Sequence, residues 1–119
     1  MLKGLGCDLV EVARIETALA KEGFAQRVFT EQERLSIEKK GIRTAAGYWA
    51  AKEAISKALG TGFVGFTMQD IEILTDEAGA PQAFLSRGAQ MRLARLGALS
   101  VLITISHEKD MAMAVAAVE

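Results

Sequence analysis

Two acids and a lysine stand where a metal-bound diphosphate could be held. Glu53 and Lys57 lie four residues apart in WAAKEAISKALGTG, residues 49–62, and Asp8 lies in GLGCDLVEVARIE near the N-terminus. Magnesium keeps several waters and takes one or two carboxylates together with phosphate oxygens. A lysine places a compact positive charge on a phosphate, and the glycine-rich stretch 60–65 lets backbone approach it closely. The pattern points to an enzyme that handles phosphoryl groups.

Each of these residues also has a structural use. Glu53 and Lys57 at i and i+4 form a solvated helix pair worth roughly 0.2–0.5 kcal/mol. Asp8 and Glu11 have the spacing of a capping box, with Asp at the N-cap and Glu three residues on. Residue types and spacing leave both uses open.

The elements that must position these groups follow from periodicity. Ala51, Ala54, Ile55, Ala58 and Leu59 fall on one helical stripe, and Gly60 takes the position that closes the helix. Glu53 and Lys57 point off that stripe, and the small residues Ala46, Ala50 and Ser56 beside them leave room for a ligand. A strand over residues 2–7 leads to Asp8, and a helix with core positions Val12, Ile15 and Leu19 runs to about residue 21. Thr30 and Glu33 repeat the capping-box spacing before a short helix that stops at Gly41. A strand at 70–75, turn signals at 76–81 and a return strand to about 85 form a hairpin. A helix over 86–96 stops at Gly97, and a strand at 99–106 and a tight turn lead into 111–118, where Met and Ala favour helix but the short length and the turn favour a final strand. The order predicts an α+β fold, a small mostly antiparallel sheet with packed helices, as one domain over residues 1–119.

Residues 111–118 are all apolar, so both faces of that strand need cover. A subunit interface is the economical source of it. Net charge of −1 without a basic run argues against a nucleic-acid partner. A single cysteine, Cys7, forms no internal disulfide and suits a reducing cytoplasm. One histidine and one cysteine argue against a zinc centre. No apolar run approaches the length of a membrane span, and Asp8 and Glu11 break any signal-peptide pattern. The expectation is a cytoplasmic protein with no membrane partner.

Four blocks in order, GLGCDLVEVARIE, RVFTEQE at 27–33, AAKEAISKALGTG, and TISH ending at His107, resemble the holo-acyl-carrier-protein synthases. These are the small phosphopantetheinyl transferases, and the resemblance spans nearly the whole chain. It implies transfer of the 4′-phosphopantetheine arm of coenzyme A to a serine of apo-acyl carrier protein. Adenosine 3′,5′-bisphosphate is released, magnesium is the cofactor, the enzyme is a homotrimer, and the setting is fatty acid biosynthesis. The same chemistry on polyketide or other specialised carriers, or an inactive oligomeric binding module, are the competing readings.

The resemblance also implies roles. Asp8 and Glu53 become the metal ligands, with Lys57 on the diphosphate as the third catalytic residue. Gly60, Lys57, Ser106 and His107 become coenzyme A contacts, although a lone histidine after a strand also has a structural reading. Arg14 occupies the position that meets the carrier, and Arg14, Ala18 and Lys21 form a line off the Val12/Ile15/Leu19 stripe. Such a line suits an acidic partner, or it is a solvated face diluted by Glu11 and Glu22. Many relatives have Arg-Phe where this chain has Tyr48-Trp49, and a lysine where it has Ala80. Those departures bear on coenzyme A affinity, not on the reaction.

Overall fold

The computed structural model describes residues 1–119 and places one long helix across a three-stranded sheet. The chain runs β1 (Gly4–Glu11), α1 (Val12–Leu19), α2 (Phe24–Val28), α3 (Glu31–Lys40) and α4 (Ile42–Ala58). A 3₁₀ turn (Met68–Asp70) leads into β2 (Ile71–Thr75), β3 (Pro81–Leu85), α5 (Arg87–Arg95), β4 (Val101–Glu108) and β5 (Met111–Val118). Strands β1, β5 and β4 pair antiparallel in that order, and β2–β3 is a separate antiparallel hairpin. The α+β expectation holds.

Small residues let α4 lie close on the sheet. Ala112, Ala114, Ala116 and Val118 of β5 are fully buried, as are Ala50, Ala51 and Ala54 of α4. A Cβ at Gly4 would collide with the Ala58 carbonyl, and one at Gly6 with the Ala54 carbonyl. At this spacing a single added methyl forces helix and sheet apart. Ala46 and Ala50, expected to line an open ligand space, are instead wholly buried. Close packing by sheet and α1 takes up the room that their size suggested.

Asp8 is not a helix cap. β1 continues through it to Glu11, with Asp8 opposite Ala114 and Glu11 opposite Met111. Glu11 is the N-cap residue of α1 and makes no side-chain capping bond. Antiparallel pairing with β5 runs on through residues 8–11, keeps the chain extended there and outcompetes the local capping box. The Thr30–Glu33 box does form, with Thr30 N donating to Glu33 Oε1 at 2.8 Å. Helix α1 ends at Leu19, and the unforeseen α2 starts after Gly23, whose φ is +81°. Five residues are too few to show a helical period.

Alternation along β1, β4 and β5 leaves the sheet's other face bare. Leu5, Leu9, Leu102 and Met113 are exposed there, between 41% and 64%, and Cys7 is exposed among them. The register puts Leu5 and Leu102 either side of Ala117, and Leu9 opposite Met113. No helix is long and apolar enough to cross a membrane.

Candidate active site

The edge strand β1 and helix α4 bring Asp8, Glu53 and Lys57 together. Lys57 Nζ donates to Asp8 Oδ1 at 3.2 Å and to the Cys7 carbonyl at 2.9 Å. Glu53 is half-buried. Burial pushes its carboxyl above the usual range, the charge on Asp8 raises it further, and Lys57 and Arg14 partly offset both. No hydrogen bond contributes to holding it ionised. Two carboxylates that repel one another, flanked by a lysine and an arginine, suit a hard cation bridged to a polyanion.

That arrangement costs stability while no cation is present. A carboxyl with a raised folded-state pKa contributes stability fully below its unfolded pKa and loses it as pH rises through the folded one. Glu53→Gln is therefore expected to raise Tm in chelator at neutral pH and to leave it unchanged below the ordinary glutamate range. Melts at both pH values check this. An unchanged or lower Tm at neutral pH contradicts it.

His107 lies elsewhere. Its Nε2 is 2.8 Å from the Arg43 carbonyl, which only accepts, so Nε2 carries the hydrogen. Gly47 of α4 makes room for the ring, because a Cβ there would sit 3.3 Å from two of its atoms. His107, Lys40, Thr44, Tyr48 and Gly79 line a cavity of about 310 Å³. Lys40 supplies its ammonium. Sequence reasoning passed over Lys40, because a lysine in the last turn of a helix reads as a partner for the helix dipole.

The two groups occupy opposite flanks of α4. Asp8 is on β1 and His107 on β4, with β5 between them, so their strands are about 10 Å apart. Glu53 and Tyr48 are separated by about 140° around the helix. Ser106 is exposed and alternates to the bare sheet face, away from the His107 cavity. Gly60 adopts φ +84° just past α4, the left-handed closure that its position predicts. Within the chain the expected constellation is divided in two.

A second cavity, of about 420 Å³, lies over α1. Arg14, Ala18 and Lys21 border it, and its floor is Phe24 stacked on Trp49 with ring centroids 5.8 Å apart. The line of Arg14, Ala18 and Lys21 therefore rims an aromatic hollow rather than plain solvent. Arg14 also stands close enough to act on the Glu53 charge.

The model of the 4′-phosphopantetheinyl transferase superfamily matches residues 4–116. The chain belongs to this superfamily. The holo-[acyl-carrier-protein] synthase of Solidesulfovibrio magneticus is 45% identical over all of this chain and 99% of its own length. Among solved structures, the holo-[acyl-carrier-protein] synthase of Neisseria meningitidis superposes with a TM-score of 0.90 at 32% identity, covering 100% of this chain and 99% of its own. The Helicobacter pylori synthase in complex with coenzyme A reaches 0.86 at 32% identity, over 97% and 99% of the two chains.

Proposed function

We propose that this protein is a holo-acyl-carrier-protein synthase of fatty acid biosynthesis, working as one domain over residues 1–119 in the cytoplasm. It transfers the 4′-phosphopantetheine arm of coenzyme A to a serine of apo-acyl carrier protein. The observation that carries this reading is the Asp8–Lys57–Glu53 cluster, with Glu53 held at raised pKa beside a second carboxylate.

In the reaction the serine oxygen bonds to the β-phosphorus, and the bond to the bridging oxygen breaks. Adenosine 3′,5′-bisphosphate leaves with that oxygen. Asp8 and Glu53 would hold magnesium, which when bound neutralises charge on the diphosphate. Lys57 sets its ammonium against the same phosphates and, with Gly60 and the glycine segment, keeps them in line for attack. The serine proton departs toward the carboxylate pair. On the far flank His107 and Lys40 suit the phosphorylated nucleotide end.

One coenzyme A molecule engages both flanks if they come from different subunits. We therefore place its cleft between neighbours in a homotrimer assembled through the bare sheet face. Ser106, on that face, then reaches the cleft from the interface side.

The acidic carrier docks over α1, with Arg14 and Lys21 at the rim and the Phe24–Trp49 floor beneath. Arg14→Glu should raise KM for the carrier several-fold and leave KM for coenzyme A nearly unchanged. Rim charges act mainly on association and weaken with salt. Wild-type KM for the carrier should accordingly climb with ionic strength more steeply than that of the variant. Equal salt slopes with an unaltered carrier KM would move docking off α1.

The function itself is tested by mass spectrometry of an apo-carrier incubated with coenzyme A and magnesium. Transfer adds about 340 Da, the mass of the phosphopantetheine group. Absence of that shift with every fatty-acid carrier tried refutes the proposal.

A further inference from the structure

A buried ion pair and an amide tie α2 to the far end of the glycine segment. Lys52 precedes Glu53 on α4, and both Lys52 and Glu33 are wholly buried. Lys52 Nζ donates to Glu33 Oε1 at 2.6 Å, to the Val28 carbonyl at 2.7 Å and to the Met68 carbonyl at 2.8 Å. Glu33 in turn accepts from Thr30 N at 2.8 Å and from Ile73 N at 2.7 Å. All three ammonium hydrogens are used. A second tie runs in parallel, since Gln69 Nε2 donates to the Gln26 carbonyl at 2.6 Å and to the Phe29 carbonyl at 2.7 Å.

A buried ion pair is by itself weak evidence of stability. Apolar residues of similar volume commonly match or exceed a buried ion pair in stability. Its geometry is more telling. Val28 ends α2, and Met68 follows the segment in which Gly60, Gly62 and Gly65 all have positive φ. The entry of that segment is anchored to α4 by Gly62 N, which donates to the Ser56 carbonyl at 3.2 Å, and Arg92 Nε of α5 donates to the Leu59 carbonyl at the end of α4 at 2.8 Å. Its exit is held by Lys52, one residue from Glu53 on the same helix. An open groove of about 620 Å³ between Arg27, Val28, Phe63 and Phe66 separates the two walls that these ties join.

We propose that Lys52 and Gln69 are positioning residues for phosphopantetheinyl transfer: together they clamp α2 and the exit of the glycine segment to the helix that carries Glu53 and Lys57. Neither touches substrate. The inference rests on the assignment of Glu53 and Lys57 to the active site. A misplacement of about 1 Å at a reacting centre costs on the order of 100-fold in rate, so loosening the clamp acts on kcat.

Gln69→Ala removes the half-exposed tie and leaves the core intact. Its kcat per folded protomer should fall about 3- to 10-fold, with KM for coenzyme A within about 2-fold of wild type. The double variant Glu33→Leu/Lys52→Met removes both charges at once and should lose about 10-fold or more in kcat if folded by circular dichroism. Unchanged kcat in Gln69→Ala overturns the proposal whatever the double variant does, and so does a rise in KM alone. Glu53→Ala in the same assay separates the two failures. An active Glu53→Ala overturns the site itself, whereas an inactive one beside an unaltered Gln69→Ala overturns only the clamp.

Discussion

Glu53→Ala and Asp8→Ala should each lower kcat/KM by about 1000-fold or more at ordinary magnesium concentrations. Two carboxylates make up the proposed protein share of the metal site, so losing either leaves one. The fold should survive both changes. Asp8 lies within β1 and caps no helix. Its ion pair with Lys57 joins side chains 17% and 53% exposed, and a pair this open to solvent contributes about 0–1 kcal/mol. Glu53 sits raised in pKa beside Asp8, so its removal relieves a repulsion. Steady-state kinetics over a magnesium titration, with melting curves alongside, check the expectation. Near wild-type activity in either variant, without a raised magnesium requirement, contradicts the metal assignment.

Met113→Glu and Leu102→Glu should dissociate the proposed trimer and abolish turnover together. Both side chains stand on the bare sheet face and are exposed in one chain, 41% and 55%. Either change leaves the fold of a single subunit undisturbed. An uncompensated charge buried in an interface costs about 3–5 kcal/mol, which is roughly two to four powers of ten in association. Ala114→Glu would mislead, because Ala114 is fully buried against α4 and a charge there unfolds the chain. Light scattering and activity on the same samples decide. A fully active monomer refutes the shared cleft.

Much of the molecule was legible in the chain. Periodicity and caps placed the Thr30–Glu33 box, the long helix, the hairpin and the final pair of strands, because each is written in residues a few positions apart. The proposed site was legible as residue types: Asp8, Glu53 and Lys57 were singled out by the chemistry they can do and by their resemblance to a family. Lys40 and Lys52 were not. A lysine at a helix end or inside a helix carries no local mark of the cavity or the buried carboxylate that it meets.

Contacts distant in sequence decided the rest. Asp8 belongs to β1 because β5, more than 100 residues later, completes its ladder. Ala46 and Ala50 are buried because packing neighbours close over them, an outcome that the size of an alanine leaves open. Glu53 and His107 stand on opposite flanks of α4 because β5 inserts between the strands that carry Asp8 and His107. Local spacing determines which elements form and which side chains could act. Strand order and helix-on-sheet packing determine which of those side chains share a site.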